Sequence, residues 1–196
     1  MLSTLANLKS RLAIPDLDVQ HDDLLTTALT ALSSAFDKYT NRTLARTANT
    51  THEFAGNDTE ILPPVYPIES VSKFELKTSE SEGWIEQTNI TYLVRNSSVI
   101  SLASPFCILN SAFCIARVTL TGGFVLPGDT ASAGQTPLPP DLEQAAIEQV
   151  AYWFRNRDKI GLIRNWPHQG TYEQFTETDL LPTVLAILRK YERWAI

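Results

Sequence analysis

The sequence predicts an α+β fold, a helical bundle of about four helices with an inserted small antiparallel β-sheet domain. Three observations carry that expectation. Apolar residues recur at helical spacing toward both ends of the 196-residue chain, they alternate with polar residues through its middle, and a glycine- and proline-rich stretch separates the middle from the last helices.

The first helix is expected in TLANLKSRL, residues 4–12, where Leu5, Leu8 and Leu12 share a face, Ser3 or Thr4 can cap, and Pro15 stops the run. After the acidic loop PDLDVQ, the stretch HDDLLTTALTALSSAFDKYTNRTL repeats Leu25, Ala28, Leu29, Leu32, Ala35, Phe36 and Tyr39 at intervals of three and four. Asp22 and Asp23 in its first turn, with Lys38 and Arg42 near its end, suit the helix dipole.

From about residue 50 the period changes to two. THEFAGNDTEIL reads as a hairpin turning at Gly56-Asn57-Asp58, and Phe74 and Leu76 alternate with Lys73, Glu75 and Lys77. NITYLV and SVISL flank an Asn96-Ser97-Ser98 turn; Val118 and Leu120 alternate with Arg117, Thr119 and Thr121, and Gly122-Gly123 reads as a turn. Residues 125–140, VLPGDTASAGQTPLPP, read as a loop.

Pro139 and Pro140 then pre-set a helix in which Leu142, Ala145, Ala146, Ile147, Val150, Trp153 and Phe154 form a broad apolar face, with Gly161 as its stop. A polar loop containing Trp166-Pro167 follows. The last segment, LLPTVLAILRKYERWAI, places Pro182 at a helix start and aligns Val184, Leu185, Leu188, Tyr191 and Trp194 on one side. The expected divisions are 1–48 for the first helices, 49–124 for the sheet, 125–140 for the loop and 141–196 for the last helices, including a terminal docking helix.

Bulk properties narrow the function. No apolar run reaches the roughly 18 residues that span a bilayer, so a soluble, unexported chain without membrane contact is expected. The formal charge is −6, and residues 50–140 hold nine acids against four bases. Nucleic-acid binding needs clustered lysine and arginine, which neither the sum nor the distribution supplies. Cys107 and Cys114 lie in FCILNSAFCIA with no histidine or aspartate beside them, and two buried thiols are expected rather than a zinc site or a disulfide. The sequons at Asn41, Asn49, Asn57, Asn89 and Asn96 read as polar turns and strands.

Nothing in the pattern announces catalysis, a metal or a cofactor. His21, His52 and His168 have no metal-ligand spacing, and the nucleophile-elbow, phosphate-loop and dinucleotide motifs are missing.

Several strings together resemble the head-tail connector, adaptor or head-completion proteins of tailed bacteriophages. TLANLKSRL followed by a longer helix ending in Tyr39, Arg42 and Thr43 resembles that family's Tyr-x-x-Arg-Thr opening. EFAGNDTEILPPVYPIESVSKFEL is similar to its hairpin and Pro-Ile strand, and VTLTGGFVLPG, LPPDLEQAAIEQVAYWFRNRDKIGL and the ending LLPTVLAILRKYERWAI resemble its later elements. The likeness spans the chain apart from about 77–115, and SPFCILNSAFCIA departs from it. It implies a non-catalytic virion protein at the head-tail interface, assembled in the host cytoplasm as a dodecameric ring. Such a ring would dock on the portal, extend a channel through which DNA passes without specific binding, and meet a tail-side completion or tail terminator protein.

The aromatic supply of the last third, Trp153, Phe154, Trp166, Tyr172, Phe175, Tyr191 and Trp194, exceeds what one interior should need. Tryptophan, tyrosine and arginine are favoured at interface centres. The expected portal or subunit interface is therefore Trp153, Phe154 and Arg155 with Val184, Leu185, Leu188, Tyr191, Arg193 and Trp194. Two rival readings stay open: a monomeric ligand- or carbohydrate-binding module using Trp84, Tyr92 and Phe124, and a hydrolase using His52 or His168.

Overall fold

The computed structural model describes residues 1–107, 114–157, 162–165, 173–175 and 180–193, with 162–165 and 173–175 described by backbone alone. The fold is mixed α+β, with four helices and largely antiparallel sheets among the described residues. Two compact units divide the chain: Met1–Thr40 with Leu138–Glu192, and Asn41–Pro137 with Arg193–Ile196.

In the first unit, α1 (Leu5–Leu12) is capped by Thr4, whose hydroxyl accepts from the Asn7 amide at 3.2 Å, and ends on Ala13 in the left-handed region. Helix α2 (Asp22–Thr40) buries Leu25, Leu29, Leu32 and Phe36, the stripe its spacing predicts. The buried Lys9 ammonium on α1 lies 2.7 Å from the Asp22 carboxylate at the start of α2 and donates to the Asp16 carbonyl at 3.1 Å. That pairing makes burial of the charge tolerable.

Helix α3 (Pro140–Arg155) buries Leu142, Ala145, Ala146, Ile147, Gln149 and Val150. Its Glu143 carboxylate accepts from Ser3 Oγ at 3.0 Å and Asn7 Nδ2 at 2.8 Å, which ties α3 to the chain's first residues. The helix ends at Arg155, earlier than the Gly161 stop predicts, with Asn156 leaving helical geometry as its C-cap and adding a side-chain N–H to the Tyr152 carbonyl that its backbone N–H also meets. Gly161 itself lies outside the described residues.

Helix α4 (Pro182–Leu188) starts on a proline, and the Leu181 amide before it donates to Gln149 Oε1 at 2.8 Å. Between α3 and α4 the expected polar loop is flanked by two paired strands, Leu162–Asn165 antiparallel to Glu173–Phe175. Runs of three and four residues are too short to register a period of two in the sequence. Trp166 and Pro167 lie outside the described residues.

The second unit holds β1 (Thr47–Ala55), β2 (Glu60–Ile61), β3 (Ile68–Lys77), β4 (Ile85–Gln87) and β5 (Tyr92–Arg95). It continues with β6 (Val99–Leu102), β7 (Ile115–Gly122), β8 (Phe124–Val125) and β9 (Thr136–Pro137). One antiparallel sheet runs β1-β7-β3-β4 and a smaller one β2-β6-β5. Their inward side chains, Phe74, Val118 and Leu120 from the first with Ile61, Ile100 and Leu102 from the second, share a core completed by Val65 and Ile68. On the other face of the first sheet Glu75 is buried with both carboxylate oxygens on its cross-strand partner Arg117, at 2.7 and 3.0 Å, and that hydrogen bonding holds its carboxyl below the usual carboxylate range.

The expected THEFAGNDTEIL hairpin is not a hairpin. The turn at 56–58 forms, with the Asp58 amide bonded to the Ala55 carbonyl at 3.0 Å, but β1 before it pairs with β7 and β2 after it pairs with β6. Sequence neighbours part here while Phe54 and Ile61 pack in the one core that the two sheets share, so the turn carries the chain from one sheet to the other. The Asn96 turn does join two paired strands, β5 and β6, with Asn96 and Ser97 both at φ 50°. Gly122-Gly123, expected as a turn, marks a close approach: a Cβ on Gly122 would sit 2.5 Å from the Pro67 carbonyl oxygen, and one on Gly123 2.5 Å from that of Ala45. The 125–140 stretch is largely irregular, pinned where β8 runs parallel to β9.

Cys107 and Cys114 are joined as a disulfide, correcting the expectation of two thiols. Local hydrogen bonds bring them together: the Cys107 amide donates to the Gly56 carbonyl at 3.0 Å, and the Gly56 amide donates to the Cys114 carbonyl at 3.1 Å.

Candidate functional site

The last turn of α3 carries Tyr152, Trp153, Phe154 and Arg155 in succession. Successive helical residues point about 100° apart, so the four cannot all face one interior. Ala151 is buried, Trp153 and Phe154 are half-buried, Arg155 is exposed, and Tyr152 remains 46 % exposed. Trp153 and Phe154 line a shallow apolar groove of about 120 Å³ with Val150, Arg157 and, from α2, Leu24, Leu25 and Ala28. His21 meets the Phe154 ring edge-on at 5.1 Å between centroids. Arg157 lies 4.8 Å over the same ring and donates to the Phe154 carbonyl at 3.0 Å, while Arg155 donates to the Arg11 carbonyl at 3.2 Å.

The terminal part of the expected interface does not stay together. Val184 and Leu188 are fully buried within their own chain, which removes them from any surface, and Leu185 is half-buried. The helix ends at Leu188 rather than running on, because Lys190 and Tyr191 make tighter bonds to the Ile187 and Leu188 carbonyls. Tyr191 donates its hydroxyl to Asp141 Oδ1 at 2.7 Å. Its position three residues after Leu188 mimics a continuing helix in sequence while serving a turn in space. Arg193 belongs to the other unit, and Trp194 lies outside the described residues.

In that second unit Arg193 donates to the Ser98 carbonyl at 2.7 Å, places its guanidinium 4.6 Å over the Tyr66 ring and accepts from Asn41 Nδ2 at 3.3 Å through its carbonyl. Beside it opens a groove of about 680 Å³ lined by His52, Glu53, Asp58, Glu60 and Ile61 among others. Burial, seconded by the Arg193 charge, pushes the His52 imidazole below its usual range against the opposing pull of Glu53. The three sheet aromatics of the binding-module reading occupy separate surroundings. Phe124 is buried, Tyr92 meets Phe74 edge-on at 5.4 Å, and Trp84 lies under Arg117 at 4.3 Å. His168 lies outside the described residues.

The sequence reading missed three exposed apolar residues: Leu17 at 95 % exposure, Val19 at 70 % and Leu24, which lines the groove, at 53 %. The alternation Asp16-Leu17-Asp18-Val19 in a loop was the available signal.

No family model matches the chain, and no curated protein matches it. Solved structures do. A chain in the neck of an empty gene transfer agent particle, computed with C6 symmetry, is 15 % identical at a TM-score of 0.58, over 97 % of this chain and 89 % of that one. A chain in the neck of the native particle, computed with C12 symmetry, is 15 % identical at 0.53, over 98 % and 89 %. One in the virion of the native particle is 14 % identical at 0.55, over 97 % and 89 %.

This chain has the fold of those neck-particle chains. The likeness extends through both units, and within it the Tyr-x-x-Arg-Thr string acquires a structural account. Arg42 is buried, donates to the Tyr66 carbonyl and lies 3.3 Å over the Tyr66 ring and 5.1 Å from that of Phe124, while Thr43 bridges Val65. Arginine at that position thus secures the entry into the sheet unit.

Proposed function

We propose that this chain is a structural subunit of a virion neck. In this reading it sits at the head-tail interface as a ring of twelve copies, docks on the portal, extends the DNA channel and presents a platform for a tail-side completion or terminator protein. The four helices act as one bundle, with the sheet domain of residues 49–124 as an insertion into it.

The observation that carries the reading is the shared fold over 97–98 % of the chain with chains from necks computed with C6 and C12 symmetry. The exposed aromatic end of α3 adds to it, since tyrosine, tryptophan and arginine concentrate at interface centres. Of the interface expected from sequence, Trp153, Phe154, Arg155 and Leu185 stay available, with Tyr152 added; Val184 and Leu188 serve the interior. An acidic balance in the chain suits a conduit that must release DNA rather than hold it.

Native mass measurement of the purified chain, alone and with the portal ring of its own particle, tests this. Capture in a cyclic stoichiometry is expected, with free monomers acceptable because a template can drive closure. A chain that ignores the portal at every concentration overturns the reading. The double variant Trp153→Ala/Phe154→Ala should lower capture at least tenfold, about 1.4 kcal/mol or more.

A further inference from the structure

We propose that the groove between α2 and α3 receives the Asp16–Val19 loop of a neighbouring copy of this chain. The loop is an unusual object for a free surface. Leu17 and Val19 are 95 % and 70 % exposed, so the interior does not account for them. Nor is the loop slack: the Asp18 amide bonds to the Pro15 carbonyl at 3.0 Å, the Gln20 amide to Asp18 Oδ1 at 3.1 Å, and Lys9 holds the Asp16 carbonyl at 3.1 Å. An apolar pair presented on a pre-ordered turn loses little freedom on docking.

The groove is its complement in size and charge. Its volume of about 120 Å³ is many times the roughly 10–15 Å³ that admits one water molecule, room for an aliphatic side chain. Trp153 and Phe154 supply an apolar wall, Arg157 lines it, and Arg155 is exposed on the same turn of α3. The arriving loop brings Asp16 and Asp18, so acid meets base around an apolar centre. The chain's own Leu17, exposed almost completely, does not fill its own groove. A loop entering a groove is a heterologous contact, the kind that repeats around a closed ring, and closure adds avidity to a contact that is small by itself.

The inference rests on the ring reading for its setting, and its test separates the two. Two charge-reversed variants, Asp16→Lys/Asp18→Lys and Arg155→Glu/Arg157→Glu, and their fourfold combination are compared with the parent chain. The readouts are sedimentation of concentrated protein and copies bound per portal ring. All these positions are exposed, and an unchanged circular dichroism spectrum and melting temperature check the fold. Each reversal should raise the concentration needed for association about tenfold, and the combination should restore most of the loss. Leu17→Ser, with no charge change, should weaken association in the same way. A ring that assembles regardless of either reversal, or a combination as defective as its parts, overturns the inference and leaves the ring reading standing. A parent chain that is monomeric in concentrated solution and on the portal overturns both.

Discussion

Gly56 shows how one residue's missing side chain can organise several elements. Its backbone bonds to both cysteines, and a Cβ there would strike Cys114 Sγ and sit 3.2 Å from Cys107 Sγ. Gly56→Ala should therefore destabilise the sheet unit by about 1–3 kcal/mol through overpacking. Thermal unfolding with and without a reductant checks this, the deficit shrinking once the sulfurs can separate. His52 gives a pH dependence whose sign follows from its lowered pKa. The unfolded chain binds that proton more readily, so the stability is fully present above the ordinary histidine value of about 6.5 and is lost as pH falls toward the lower folded value. Melting temperature measured across that window should drop on acidification, and His52→Gln should flatten the slope. Neither residue's role could be read from local sequence, because each depends on partners from distant strands or, for Arg193, from the far end of the chain.

At the scale of elements, periodicity served the long helices well and the short pieces badly. The stripe of Leu25, Leu29, Leu32 and Phe36 and the buried face of α3 follow their spacing because many residues vote for one face. The terminal segment misleads, since Val184, Leu188 and Tyr191 keep helical intervals while the helix ends at Leu188. Strand pairing departs from sequence order where adjacent strands join different partners, as at β1 with β7 and β2 with β6. The attachment of α4 also escaped prediction, because it runs through Gln149, a buried polar residue on an apolar face, whose Oε1 holds the Leu181 amide. Gln149→Leu leaves that donor without its acceptor and should cost about 1–3 kcal/mol. Denaturant unfolding measures it, with faster hydrogen exchange at 181–188 as the local sign.

At the scale of the whole molecule, the α+β class and the change of period near residue 50 were legible in sequence, and so was an α3 end too rich in large side chains to be buried whole. Trp153, Phe154 and Arg155 remain at the surface as their excess over one core suggests, whereas Val184 and Leu188 do not. A stripe on a terminal helix looks the same in sequence whether it covers its own chain or another, and only three-dimensional packing tells them apart. The exposed loop at Leu17 escaped for the converse reason: the alternation Asp16-Leu17-Asp18-Val19 is too short to stand out from an acidic loop. Measured with its portal, the assembly should lose copies when the α3 surface is altered and keep them when exposed residues elsewhere on the sheet unit, such as Thr88, are changed; counting copies per ring by native mass checks both.

The helical unit is discontinuous in the chain, since Met1–Thr40 is completed only by Leu138–Glu192, with Glu143 bonded to Ser3 and Asn7. During synthesis, which runs at about 5–20 residues per second, the opening helices therefore emerge long before their partners exist. They must wait as unprotected amphipathic segments while the intervening sheet residues pass through the ribosome. Such a nascent chain exposes its stickiest surface early and can hide it only once residues 138–192 have emerged.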